Sequence, residues 1–174
     1  VEDVRIMPPA QVSWALLVFT LPREPSAPRV AVWRKLKKLG AALLHDAVWV
    51  LPAQPALLEH FRWLAAEIRE SSGEALVWVA EQGMPGQDDT LVEQFRAQAE
   101  VEYQAILGAL DTSKSGANDA HAERASLARR YQQVRARDYF HAPTEDTVRA
   151  RFEALNPHPD TDNNGSSDTN GEGA

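Results

Sequence analysis

Hydrophobic and polar positions along this chain follow two rhythms. The run "SWALLVFTLP" (residues 13–22) is short, apolar and closed by Pro22, and its Val, Phe and Trp suit a buried strand. Pro22, Pro25 and Pro28 then forbid a helix until about Ser26, a plausible N-cap. The spacing predicts a helix from about Ala27 to the stop at Gly40. "AALLHDAVWVLP" reads as one bent strand or as two strands broken at His45–Asp46. In "QPALLEHFRWLAAEIRESSG", Leu57, Phe61, Leu64 and Ile68 recur at helical spacing, and Gly73 marks the end. "EALVWVAE" is a further strand.

The order strand, helix, one or two strands, helix, strand predicts an α+β fold. The expected form is a ferredoxin-like split βαβ sheet with helices on one face. Beyond the loop "QGMPGQD" the period becomes purely helical. Thr90 and Glu93 form a capping-box pair, and Val92, Phe95, Ala99, Tyr103, Ile106 and Leu110 make the stripe. "DTSKSGAND" reads as a linker. A fourth helix is expected over about Ala122–Tyr139, and a short fifth after Thr144. The chain thus divides into an N-terminal extension (1–11), an α/β core (12–83), a helical extension (84–156) and a polar, acidic tail (157–174) expected to be disordered. Trp14, Trp33, Trp49, Trp63 and Trp78 fall one on each core element. Trp33, Trp49, Phe61 and Trp78 are expected to be buried.

The formal charge of the 174-residue chain is −7, and about −3 without the four acids of the tail. An acidic body argues against indiscriminate nucleic-acid binding. The absence of cysteine excludes disulfides, thiolate metal sites and a cysteine nucleophile. No apolar run approaches the length of a membrane span, and "VEDVRIMPPA" lacks a signal-peptide pattern, so no membrane partner and a cytoplasmic location are expected. The five histidines have no ligand spacing, and no glycine-rich phosphate loop or catalytic triad order can be drawn. No metal, cofactor or catalytic residue is therefore assigned.

Against this background the first helix stands apart. Val32, Trp33, Leu36 and Leu39 fall on one arc, and Arg34, Lys35, Lys37 and Lys38 on the other. Arg23 and Arg29 lie in the turn and the first helical turn. No acid occurs from Arg29 to Ala41, so no pairing within the helix explains the charge. One reading is a solvated face. The other is an anionic partner, either DNA phosphate or a small oxyanion. The fourth helix, "HAERASLARRYQQVRARDYF", carries a second basic set around the stripe Leu127, Tyr131 and Val134. Arg124 and Arg135 flank one edge of it and Arg130 and Arg137 the other, while Arg129 points away. These arginines either cover a docking surface and pair with acids such as Asp138, or contact phosphates.

The segments "WALLVFTLPREPSAPRVAVWRKLKKLGAALLHDAVWVLP", "FRWLAAEI", "GEALVW" and "LARRYQQVRARDYF" resemble the N-terminal domain of ChrB, the regulator of bacterial chromate-resistance operons. The likeness covers roughly Ser13 to Phe152. It implies a DNA-binding regulator of an efflux operon that answers to chromate, with operator DNA and a second copy of itself as partners. It carries a binding role to Arg23, Arg29, Arg34, Lys35, Lys37 and Lys38, and then to Arg129, Arg130 and Arg135. Full-length members of that family continue into a second domain. A more distant likeness links the strand, turn and basic helix to the middle domain of the phenylacetate-pathway repressor PaaX and to ferredoxin-like CRISPR adaptation endonucleases. Those nucleases close the first strand with an aspartate where this chain has Thr20. A hard divalent cation needs carboxylate oxygens, so phosphodiester cleavage is not expected even if the fold is shared, and the chain is expected to be a regulator and not an enzyme. An oxyanion sensor built on Arg23 and Arg29, and a protein-interaction module, are the rival readings.

Overall fold

The computed structural model of the chain describes residues 12–112 and 117–155. The expected N-terminal extension and acidic tail lie outside the described residues, as does the middle of the expected linker. The elements are β1 (Trp14–Thr20), α1 (Ala27–Lys38), β2 (Ala42–His45), β3 (Val48–Pro52), α2 (Pro55–Glu70), β4 (Glu74–Ala80), α3 (Gln87–Thr112), α4 (Ala117–Arg135) and α5 (Thr144–Leu155). The class is α+β, as the pattern predicts. "AALLHDAVWVLP" resolves into two strands, β2 and β3, because Asp46 turns the chain with a φ of +38°.

The four strands lie in the order β2-β3-β1-β4, and every neighbouring pair is antiparallel. Each of α1 and α2 therefore joins two strands that are separated by a third. Residues directly opposite each other share a face, so Ala15, Leu17, Trp49, Leu51 and Ala75 point one way. Helices α1 and α2 cover that face with Val32, Leu36, Phe61, Leu64 and Ile68, all buried. The opposite face is closed near Trp14 by the helical half. The Trp14 and Phe95 rings stack 5.8 Å apart, with Phe140 beside them. Trp14 Nε1 donates to Asp88 Oδ1 at 2.7 Å, fixing the start of α3 against β1. A second core forms where α3, α4 and α5 meet around Tyr103, Ile106, Tyr131, Val134 and Val148. Among the described residues, no helix is long and apolar enough to cross a membrane.

Several local expectations change. Helix α3 begins at Gln87, ahead of the Thr90–Glu93 pair, because Gln87 Oε1 accepts from the amides of Gly83 and Met84. The Thr90 hydroxyl instead donates to Gly86 O. Helix α4 ends at Arg135, so Arg137, Asp138 and Tyr139 belong to a turn. The expected linker shrinks from both sides, since α3 runs on to Thr112 and α4 starts at Ala117. At the end of α2 the left-handed residue is Ser72, with φ +60°, and not the glycine. Gly73 is required for another reason: a Cβ there would sit 2.5 Å from Thr20 O. At the end of α1, Gly40 takes the left-handed position itself, with Gly40 N to Lys37 O and Ala41 N to Leu36 O both at 3.0 Å.

The tryptophan expectation is half overturned. Trp49 and Phe61 are buried, but Trp33 is 52% and Trp78 59% exposed, and Trp63 is 70% exposed. The buried stripe of α1 is only as wide as Val32 and Leu36, so Trp33 falls at its rim. Trp63 lies on the outer side of α2. Trp78 sits on the edge strand, on the sheet face that α1 and α2 do not cover.

Candidate nucleic-acid interface

The basic residues of the first helix separate into spent and free groups. Arg29 Nη2 donates to Pro22 O at 2.9 Å and Leu21 O at 3.2 Å, so its guanidinium pins the proline turn. Lys35 pairs with Glu67 across the α1–α2 contact. The sequence excluded acids within the helix, and the acid comes from a neighbouring one. The Lys37 ammonium lies 5.9 Å from the Trp33 ring centroid and 5.7 Å from that of Trp49, a cation–π arrangement that still leaves its head in water. Arg23, Arg34 and Lys38 are exposed, and no hydrogen bond or ion pair holds any of them among the described residues.

On α4, Arg129 and Arg130 are likewise exposed and unengaged among the described residues. Arg135 points elsewhere, its Nε 3.8 Å from Glu145 Oε1. Of the nine candidate positions, Arg29, Lys35 and Arg135 thus have protein partners. Arg23 stands apart in the turn, and Arg34, Lys37, Lys38, Arg129 and Arg130 offer unpaired charge on the two helices.

The two helices meet at a cleft of about 520 Å³ lined by Lys37, Lys38, Gln133, Ala136 and Arg137. Arg129 and Arg130 precede Gln133 by one turn of α4, beyond the residues that line the cleft. Arg137 builds the cleft. Its Nη2 reaches both carboxylate oxygens of Glu102, at 2.6 and 2.7 Å, and its Nη1 donates to Lys37 O at 3.1 Å. The Tyr139 hydroxyl donates to Leu39 O at 2.6 Å. Burial raises the Tyr139 pKa, so the phenol stays a donor. Gly40 lets this approach happen, since a Cβ there would lie 3.0 Å from Arg137 Cβ. The sequence pattern does not reveal Arg137 as a site builder. It runs α4 on to Tyr139, which hides the turn that carries Arg137 back to α1.

On the other side of α1, Lys35, Lys38, His60, Trp63 and Glu67 line a second cleft of about 430 Å³. A third, of about 410 Å³, contains Thr20, Arg29, Trp33, Asp46 and Trp49.

The model of the family described as "Protein ChrB, N-terminal" matches residues 29–161. These include every candidate position except Arg23. Protein ChrB of Cupriavidus metallidurans is 31% identical over 150 residues, covering 82% of this chain and 44% of its own length. The chain therefore spans less than half of that curated relative. No solved structure matches.

Proposed function

The chain belongs to the ChrB family, tied to chromate resistance, and from that premise we propose that it is a DNA-binding transcriptional regulator of a chromate-resistance operon. It works in the cytoplasm as a homodimer, responds to chromate and catalyses no reaction. One observation carries the DNA-binding part. The unpaired Lys37 and Lys38 of α1 open onto a cleft whose other wall is Gln133, Ala136 and Arg137, and the exposed Arg129 and Arg130 lie one turn further along α4, on a chain whose net charge is −7. Solvated surface charge has no reason to gather in this way. Backbone phosphates reward it, because each neutralised phosphate releases counterions. Thr20 supports a non-catalytic reading, since a hydroxyl replaces the carboxylate that metal-dependent cleavage needs. Two carbonyls hold Arg29 Nη2 in the turn, so an oxyanion would have only its other two nitrogens to bind.

The test is binding to DNA from upstream of the operon across a salt series, with and without chromate. Replacing Arg34 and Lys38 by Ala leaves the buried Val32 and Leu36 untouched and keeps a good helix former. The double variant is expected to bind more weakly, with the slope of log K against log salt shallower by about 0.9 for each phosphate left unneutralised. Unchanged affinity and slope would show that this face is only solvated.

A further inference from the structure

The second edge of the sheet is unlike the first. β2 is four residues long, carries a register shift between Leu43 and His45, and ends at the His45–Asp46 turn. Short, bulged edges resist pairing with other chains. β4 is seven residues long and pairs in unbroken register with β1. It contains no Lys, no Pro and no bulge. Three of its residues, Leu76, Trp78 and Val79, are more than half exposed.

The free hydrogen-bonding groups of this edge follow from the ladder. Phe19 N donates to Ala47 O, so the backbone of Phe19 faces the β3 side. By alternation, Trp14, Leu16, Val18 and Thr20 face β4, and their register partners Glu74, Leu76, Trp78 and Ala80 are spent on them. The backbone groups of Ala75, Val77 and Val79 point outward. Arg69 Nη2 already donates to Ala75 O at 2.6 Å, which closes one end of the edge. Val77 and Val79 remain open.

We propose that a second copy of the chain pairs antiparallel with this edge about a two-fold axis at Trp78, joining two sheets into one of eight strands. That register uses the groups that are free. Val77 exchanges both backbone bonds with Val79 of the second copy, and Val79 with its Val77. Arg69 keeps its bond to Ala75 O. Trp78 faces Trp78 of the second copy in a non-hydrogen-bonded position, where side chains approach most closely. Leu76 lies beside Ala80 of the second copy. Glu81 falls opposite Ala75 of the second copy, within reach of the guanidinium of Arg69, which has donors to spare. An axis at Val77 would instead require Ala75 O and expel Arg69. The axis at Trp78 puts no like charges opposite each other, since Glu74 meets Gln82. The α1–α4 cleft stays uncovered, because α1 lies toward the other edge, where Trp33 shares a cleft with Leu43 of β2 and Trp49 of β3.

This assigns a surface to the homodimer of the proposed function, but it does not need DNA. The experiment is sedimentation of the 174-residue chain over a concentration series without DNA. The parent is expected to be a dimer. Trp78→Glu is expected to weaken it about thirtyfold or more, as for a central aromatic anchor, while Tm changes little because the ring is more than half exposed. Glu81→Arg is expected to weaken the dimer, and Arg69→Glu combined with Glu81→Arg to restore part of the loss. A monomeric parent, a Trp78→Glu variant as dimeric as the parent, or a Glu81→Arg variant without effect would overturn the proposal. Should Trp78→Glu fail to fold, the Glu81 pair alone decides. A monomer that still binds DNA removes this interface and spares the regulator reading. A dimer that ignores DNA does the reverse.

Discussion

Removing the Arg137 side chain should both loosen the protein and separate its two basic helices. Arg137 is about a quarter exposed and Glu102 about a third, so the pair is neither buried nor freely solvated. Two hydrogen bonds to a carboxylate are worth roughly 1.5–3 kcal/mol each when water is excluded. Partial exposure screens the pair and lets water replace part of the loss. About 2 kcal/mol for Arg137→Ala is the resulting expectation. For a folded unit of this size that lowers Tm by roughly 4–8 °C. Arg137→Lys keeps the charge but cannot reach Glu102 and the Lys37 carbonyl at once, so it should lose about half as much. The measurement is thermal unfolding by circular dichroism of Arg137→Ala, Glu102→Ala and the double variant. The cycle should give a coupling of at least about 1 kcal/mol.

The same variant separates positioning from direct phosphate binding. Glu102 already neutralises Arg137, so the side chain has little charge to offer a phosphate. If it acts by holding the Lys37 carbonyl against the turn after α4, Arg137→Ala should weaken DNA binding with an almost unchanged salt slope. A slope that falls by about 0.9 would make Arg137 a phosphate ligand in its own right. A variant that melts with the parent and shows no coupling would refute the account of how α1 is held.

Two further predictions concern titration. Glu100 accepts from the Thr144 hydroxyl, from Gln104 and from the Thr144 amide, and these bonds hold its carboxyl below the ordinary value near 4.5. A folded pKa below the unfolded one gives stability that is present above about 4.5 and lost as pH falls through the folded value. Acid unfolding should therefore be steeper in the parent than in Glu100→Gln, and parallel curves would count against these hydrogen bonds. All three tyrosines are raised, Tyr103 and Tyr139 by burial, and Tyr131 to about 12 by burial and by its bond to Glu145. Ultraviolet titration of the folded chain should show almost no phenolate near pH 10, and the stability these groups supply should be lost above that pH; ionisation at 10 in folded protein would contradict the packing.

Much of the fold was legible because it rests on periodicity. Leu57, Phe61, Leu64 and Ile68 had to share a helix face, and all four are buried. The strand limits at Pro22 and Pro52 followed from proline chemistry. What misled was any inference from residue type to burial. A tryptophan is apolar wherever it sits, but its exposure depends on which neighbour the topology supplies. Trp49 lies in a strand paired on both sides, and Trp78 in one paired only with β1. Nothing local distinguishes "AVWV" from "LVWV". Gly73 shows the same limit, since only the tertiary approach of Thr20 O explains it.

The candidate site was legible to the extent that charge is countable along a helix. The sequence located the basic strip of α1, and it could not sort that strip by partner. Lys35 and Lys38 are three residues apart and chemically identical. One is tied to Glu67 and the other is free, and the difference lies in a helix 32 positions further on. Arg29 was an oxyanion candidate together with Arg23 by its place near a helix start, and the turn takes one of its nitrogens: Pro22 and Pro25 bring no amide hydrogen, and the Leu21 and Pro22 carbonyls need a donor. A free cation is therefore a property of the folded chain, defined by what remains after internal acids and carbonyls have been served. Lys37 and Lys38 share one cleft with the end of α4 because the turn after Arg135 sends Arg137 and Tyr139 back to the end of α1. The geometry that assembles the charge is set by residues that bear none of the free charge themselves.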